Sequence, residues 1–346
     1  MSESSCCSKN KNCCSGSSGN VPVVSTTLSF NDHIGAFKAR WGIGRMDYTV
    51  EPGLYAVGNP DNESPVLVSA NYKLTFDTVR KNLIGLDCWL LILDTKGINV
   101  WCAAGKGTFG TDELVNRIEM SELSKYVSHK KLILPQLGAT GVSAHEVKQR
   151  SGYDVVYGTV RAEDIKAFIA AGYKATKEMR TVKFDMWDRI VLTPMELVPA
   201  LKKTLPIVGV MLLSNKFINK PFDKTDFAAY TGAVLSGAVI TPALLPYIPG
   251  KAFALKGWLT GLGVTAGIIG LTGKGKKRNP LLTAGHLLLF PALSSYLAMN
   301  FTGSSTYTSP SGVNKEMKKA LPYIVGAAAI GGALTLGVHL FNRGKK

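Results

Sequence analysis

The chain has 346 residues, of which 46% are hydrophobic and 18% charged, and 40 Lys and Arg stand against 24 Asp and Glu for a formal charge of +16. That length suits about two domains, and so little charge with so much apolar content argues against a wholly soluble protein. A strongly basic soluble chain would raise nucleic acid first. Here many Lys and Arg adjoin apolar runs, as at residues 274–278 and 343–346, where they suit lipid headgroups, so no nucleic-acid partner is expected.

Residues 1–24 read as a polar, Ser/Gly/Asn-rich tail carrying Cys6, Cys7, Cys13 and Cys14. Such composition predicts disorder, although paired cysteines also suit a soft metal. The start has no secretory character, so reduced cytoplasmic thiols are expected.

Residues 25–190 read as one α/β domain. Short apolar strands are predicted at 65–69, 88–93, 131–134 and 154–157, with helices at 76–83, 112–118 and 162–171, the last stopped by Gly172. Alternating strands and helices predict a Rossmann-like, mostly parallel sheet covered on both faces, with ligands outside the carboxyl ends of the strands.

Residues 191–346 change character. The runs 228–247, 258–272, 281–301 and 321–341 are apolar, and each approaches the ~20 residues needed to cross ~30 Å of hydrocarbon. Gly257, Gly261, Gly263 and Gly267 give small-residue spacing for close helix packing. A shorter run, 205–213, is a fifth crossing or an interfacial helix. The expectation is an all-α transmembrane bundle of four to five helices in the cytoplasmic (inner) membrane, with the α/β domain facing the cytoplasm. With four crossings both basic segments lie inside, as the positive-inside rule prefers.

The strand at 88–93 ends in Asp94-Thr95-Lys96-Gly97, followed by Ile98-Asn99-Val100-Trp101-Cys102-Ala103-Ala104-Gly105-Lys106-Gly107. Cys102 therefore falls in a loop or short helix beyond a strand end. A thiolate there is a soft metal ligand, but most lone cysteines are small buried hydrophobes, and spacing alone favours that reading. Gly105 to Gly110 match G-x-G-x-x-G, yet lie well past the strand end, where the dinucleotide pattern does not belong. His145 and Glu146 read as the solvated face of a helix.

The run Asn99 to Lys106 resembles the signature N-[VI]-W-C-A-[AG]-G-K of mercury-methylating corrinoid proteins. The stretches 65–75 and 157–162 are similar to the corrinoid domain of the large subunit of the corrinoid iron-sulfur protein of acetyl-CoA synthesis. This resemblance implies a base-off corrinoid with Cys102 as the lower axial cobalt ligand. It implies a cap helix of Asn99, Val100, Trp101, Ala103, Ala104, Gly105 and Lys106 under the ring, corrinoid contacts from Ser69 (where Thr is expected) and Thr75, and Ala162 along the nucleotide tail. It further implies a methyltransferase moving methyl from a methyl-Co(III) corrinoid to inorganic Hg(II). Its partners would be a small two-cluster [4Fe-4S] ferredoxin and a methyltetrahydrofolate-linked donor. The tail cysteines do not match the iron-sulfur spacing of the acetyl-CoA relative, so no cluster is expected. Two other readings stand beside this one: a corrinoid methyl carrier of an acetyl-CoA-type pathway, and a non-enzymatic membrane protein that binds a corrinoid.

Overall fold

A computed structural model describes residues 14–18, 21–217, 222–272 and 279–341. It divides into two compact units, Met1–Lys183 and Phe184–Lys346. Cys6, Cys7 and Cys13, the side chain of Cys14, and the basic segments 274–278 and 343–346 lie outside the described residues.

The first unit is built on a seven-stranded sheet, order β1-β2-β3-β5-β4-β6-β7. The strands are β1 (Cys14–Ser18), β2 (Val21–Val24), β3 (Gly53–Val57), β4 (Val66–Ala70), β5 (Cys88–Leu93), β6 (Lys131–Leu134) and β7 (Asp154–Tyr157). From β5 through β4 and β6 to β7 every pairing is parallel. On the other side β3 runs antiparallel to β5, β2 parallel to β3 and β1 antiparallel to β2. The mostly parallel α/β sheet expected from sequence is thus present. Val21–Val24, assigned to the tail from composition, is instead a sheet strand, because four residues are too few to show a period.

Among the described residues this unit has the α-helices α1 (Phe30–Arg40), α2 (Lys73–Lys81), α3 (Val100–Lys106), α4 (Thr111–Met120), α5 (Ala144–Ser151) and α6 (Ile165–Ala170). Strand alternation sends successive side chains to opposite faces. Val66, Val68, Leu91, Leu93, Leu132 and Leu134 pack with Ala103, Leu114, Ile118 and Val147 of α3, α4 and α5. Leu67, Leu90, Ile92 and Ile133 pack on the other face with Phe76 of α2 and Phe168 of α6. This is why β5 is an uninterrupted apolar run: both of its faces are covered.

The second unit is helical: α7 (Met186–Phe217), α8 (Lys224–Leu235), α9 (Thr241–Ala243), α10 (Phe253–Thr272), α11 (Pro280–Asn300) and α12 (Pro310–Phe341). Among the described residues four helices, α7, α10, α11 and α12, are long and apolar enough to cross a membrane. Three of them, α10, α11 and α12, cover expected apolar runs, and α7 covers the shorter one at 205–213. Within 228–247 the chain is helical to Ala243, because α8 continues through a π-helical segment, Ser236–Ile240, into the three-residue α9 at Pro242. Residues 205–213 are instead the latter part of the 32-residue α7, which carries Pro194, Pro199 and Pro206 without ending.

Only part of the glycine stripe of α10 serves packing. A Cβ at Gly257 would stand 2.5 Å from Ala298 Cβ, and one at Gly261 would stand 2.6 Å from Ser294 Cβ, whereas Gly263 and Gly267 face open space. The close approach lets the Ser294 hydroxyl donate to the Gly257 carbonyl at 2.8 Å and Ser295 to that of Ala254 at 2.7 Å. Lys256, the charge that interrupts this run, turns back and donates to the carbonyls of Leu245 and Ile248.

Candidate functional site

The carboxyl ends of β4, β5, β6 and β7 lie along one edge of the first unit, since these strands are mutually parallel. β5 leaves the sheet through Asp94-Thr95-Lys96-Gly97, with Lys96 and Gly97 both at positive φ (57° and 69°). At Gly97 a Cβ would stand 2.8 Å from Thr49 Cγ2 and 2.9 Å from the Met46 carbonyl, so position and backbone angle both require glycine.

Asn71, just past β4, holds this turn. Its Oδ1 accepts from the Thr95 N–H at 3.0 Å, the Thr95 hydroxyl at 2.9 Å and the Gly97 N–H at 3.1 Å. The single Thr95 hydroxyl proton is shared between Asn71 Oδ1 and the Ile98 carbonyl, which stands 2.7 Å away. The chain then enters α3, capped by Asn99, whose Oδ1 accepts the Cys102 N–H at 2.9 Å. The helix closes at Gly107, which has φ 81°.

α3 has two distinct faces. Val100, Ala103 and Ala104 are buried and seat the helix on the domain core. Gly141 sits directly beneath: a Cβ there would come within 2.2 Å of the Phe109 carbonyl and 2.9 Å of Ala104 Cα. Trp101, Cys102, Gly105 and Lys106 are exposed. A Cβ at Gly105 would meet nothing within 4 Å, so the surface beside Cys102 is low and open. Of the cap-helix residues implied by the resemblance, this outward group alone presents side chains to a ligand, while the inward three position it.

Ser69 and Thr75 belong to the opposite side of the edge. Strand alternation places Ser69 on the Leu67 face, and Thr75 is in the first turn of α2, which packs there. Ala162 is half-buried at the start of a short 3-10 turn that leads into α6 on the same face. Ser69 Oγ is buried with no hydrogen-bond partner, and so are the Tyr72 hydroxyl and Gln136 Oε1, which also lie just past strand ends. An unmatched buried polar atom costs about 1–3 kcal/mol, and Arg40 Nε and the Tyr153 hydroxyl of this unit are in the same state.

The two cysteines with described side chains differ sharply. Cys88, in β5, is fully buried, and burial pushes its thiol up to about 12, helped by the nearby Asp87 carboxylate. Cys102 is exposed. The glycine pattern at 105–110 has a structural purpose: Gly107 ends α3, and Gly110 caps α4 where a Cβ would stand 2.8 Å from the Gly107 carbonyl. His145 and Glu146 are exposed on α5.

Sequence reasoning did not single out Asn71, Gln136 or Gly141. Asn immediately after an apolar strand is a faint signal that a polar hub ends the strand. The demand for a glycine at position 141 arises from a backbone distant in sequence and leaves no local pattern.

Residues 44–169 match the family model described as CO dehydrogenase/acetyl-CoA synthase delta subunit. Among curated proteins, the chain is 36% identical over 127 residues to the acetyl-CoA decarbonylase/synthase complex subunit gamma of Methanopyrus kandleri, covering 36% of this chain and 27% of that protein. It is 34% identical over 139 residues to the corresponding subunit of Methanocaldococcus jannaschii, covering 39% of this chain and 28% of that one. With subunit gamma 2 of Methanosarcina thermophila, identity is 41% over 99 residues, 28% of this chain and 21% of the relative. The chain thus spans about a quarter of the length of the curated relatives it matches. These matches correct the expectation drawn from Asn99 to Lys106. The family model and the relatives are subunits of acetyl-CoA complexes, not mercury-methylating proteins, and the assignment as a mercury methyltransferase is withdrawn. That assignment leaned on eight residues of one cap, whereas the match extends over the sheet and loops that position it.

Proposed function

We propose that this chain is a corrinoid-binding methyl carrier of the kind an acetyl-CoA-forming or acetyl-CoA-cleaving complex requires, with the exposed face of α3 as its cofactor platform. The observation that carries this reading is the pairing of an exposed Cys102 with open space at Gly105 on a helix otherwise locked into the core. A flat macrocycle needs such a low surface, and a thiolate is a soft donor suited to cobalt. When bound, the corrinoid's cobalt supplies the atom on which a methyl group is carried.

The chain's own residues bind, orient and expose. Cys102 Sγ would hold the cobalt, for which an exposed thiol is a soft donor. Trp101 and Lys106 flank it on the exposed face. The unpartnered Ser69 Oγ and Gln136 Oε1 fit the amide-rich rim of a corrinoid, and a nucleotide tail would run across the edge past Ala162. Residues on the α3 side and on the α2–α6 side of the sheet edge would together hold the ligand. A carrier must show its methyl group alternately to a donor and an acceptor on other proteins, which an exposed edge permits. Such partners are subunits of an acetyl-CoA-type complex, with a methyltetrahydrofolate-linked donor upstream and a low-potential ferredoxin to keep the cobalt reduced. The four long apolar helices would tether the carrier to the cytoplasmic face of a membrane.

The test loads the purified full-length chain, in detergent, with hydroxocobalamin. The parent should retain corrinoid on gel filtration, and Cys102→Ala should change its absorption and Co(II) paramagnetic-resonance spectra. Failure of the parent to retain corrinoid would overturn the reading. Identical spectra in the two proteins would remove Cys102 as the ligand. Methyl uptake is then followed with labelled methyltetrahydrofolate and a corrinoid methyltransferase, and no label on a loaded parent would eliminate the carrier role.

A further inference from the structure

The second unit holds a cluster that the carrier reading does not use. Asp226 of α8, His286 of α11 and His339 of α12 are far apart in sequence; His286 stands in an apolar run, and Asp226 opens one. The fold brings them together. Asp226 Oδ1 is 2.7 Å from His286 Nε2, Asp226 Oδ2 is 3.5 Å from His339 Nε2, and the ligating atoms all lie within 4.8 Å of one another. Side-chain exposure is 2% for Asp226, 1% for His286 and 12% for His339.

The site is built. Asp226 is the third residue of α8, and its carboxylate is held by a reciprocal cap in which the Asp223 N–H donates to Asp226 Oδ2 at 2.7 Å. His286 follows Gly285, where a Cβ would stand 2.6 Å from Thr335 Oγ1. On the facing helix a Cβ at Gly331 would stand 2.6 Å from the Leu289 nitrogen. These glycines let α11 and α12 touch at backbone distance, which draws the His339 end of α12 toward His286. Phe290 lies 5.1 Å from the His286 ring and Phe222 lies 5.4 Å from that of His339, so the walls are aromatic.

Yet the cluster is not satisfied as hydrogen bonds. Both ring nitrogens of His286, Nε2 of His339 and Oδ1 of Asp226 are buried without a hydrogen-bond partner, since the close approach of His286 to Asp226 lacks hydrogen-bond alignment. Each such atom costs about 1–3 kcal/mol. Ionisable groups in helices of this apolarity persist where they bind or relay something.

We propose that Asp226, His286 and His339 bind a divalent cation of borderline softness, with Zn(II) as the representative ion. Two imidazole nitrogens and one carboxylate oxygen are a common open zinc set, leaving a fourth position for water or an exchangeable ligand. Tetrahedral ligands at about 2.0–2.1 Å from zinc stand roughly 3.3–3.5 Å apart. His339 Nε2 stands 3.5 Å from Asp226 Oδ2 and His286 Nε2 stands 2.7 Å from Asp226 Oδ1, with all donors within 4.8 Å, so side-chain shifts on the order of 1 Å bring one carboxylate oxygen and both rings to that spacing. The site is independent of the corrinoid and of Cys102.

The experiment uses the full-length chain in detergent with Cys6, Cys7, Cys13, Cys14 and Cys102 replaced by Ser, so that thiols hold no zinc. After chelation, re-equilibration with micromolar ZnCl2 and dialysis, this protein should retain about one zinc per chain with a nitrogen and oxygen shell by X-ray absorption. His286→Gln and His339→Gln should each weaken retention at least about tenfold, since even a residue that only orients a ligand is worth that much. Absence of retained zinc, or equal retention in the histidine variants, overturns the proposal. If a variant aggregates, the thermal midpoint of the unsubstituted cluster decides: a rise on adding zinc supports the site and no rise overturns it.

Discussion

Asn71 accepts two hydrogen bonds from Thr95, one from its backbone N–H at 3.0 Å and one from its hydroxyl at 2.9 Å, and so fastens the end of β4 to the turn that carries α3. Adding the bond from the Gly97 N–H, one side-chain oxygen satisfies three donors. Thr95 is fully buried, so water cannot replace them. Asn71→Ala should therefore destabilise the first unit by about 2–3 kcal/mol, more than one hydrogen bond is ordinarily worth. Amide exchange at Thr95 and Gly97 should accelerate well beyond that of β5. Unchanged exchange at those two amides would show that Asn71 does not hold the turn.

Gly105 and Gly141 separate binding from folding. Gly105→Leu points into open space and replaces a helix-interior glycine, which favours the helix by up to about 1 kcal/mol. It should leave the unfolding midpoint equal or higher while abolishing corrinoid retention, because the new side chain occupies the platform. Gly141→Ala drives a Cβ into the Phe109 carbonyl and the Ala104 backbone. It should lower the midpoint and retention together. Normal retention by Gly105→Leu would place the ring elsewhere.

The two cysteines should be told apart by alkylation. Burial, with Asp87 beside it, pushes the Cys88 thiol up to about 12, so at pH 8 it is neutral as well as shielded. Iodoacetamide on the native chain should modify Cys102 and spare Cys88, as read by peptide mass spectrometry. Loading with hydroxocobalamin should then protect Cys102, and equal labelling with and without corrinoid would contradict ligation.

A buried ion network beneath the site should govern acid stability. Lys73 Nζ lies 2.7 Å from Asp32 and 2.9 Å from Asp77, and Arg80 pairs with both carboxylates at 2.8 and 2.7 Å. Burial alone would raise the Asp32 carboxyl, but the hydrogen bond from Lys73 and those from the Ser29 backbone and hydroxyl outweigh it and hold the group well below the ordinary range. A carboxyl depressed on folding contributes stability above its unfolded value, near about 4, and loses that contribution as pH falls below it toward the folded value. The first unit should accordingly weaken below about pH 4. Asp32→Asn should cost about 3–5 kcal/mol at neutral pH, because it strips a partner from two buried cations, and it should flatten the acid limb of a denaturation series. An unchanged acid limb would assign the pH dependence to other groups.

Much of this protein was legible before folding was considered. The runs of β5, β6 and β7 were readable to the residue, most plainly in β5, where a strand covered on both faces has no polar interruption to blur its ends. The position of Cys102 beyond β5 was also readable, since it follows from chain order alone. Less accessible were β2 and β3, short strands that add to the sheet across an antiparallel junction. Hydropathy marked 228–247 as one apolar run but does not register that its helix passes through a π-segment before Pro242.

What the sequence by itself determined was composition and order: an α/β unit, then apolar helices, with a thiol past a strand end. Only the tertiary structure decided which face of α3 is open, because exposure depends on where Gly141 and the sheet edge lie and not on the neighbours of Cys102 in the chain. Likewise it decided that Cys88 is shielded and Cys102 is available, a difference of burial that two cysteines in one sequence cannot express. The meeting of Asp226, His286 and His339 is the extreme case: three isolated polar residues became a candidate ion site because glycine contacts bring α11 and α12 to backbone distance beside α8.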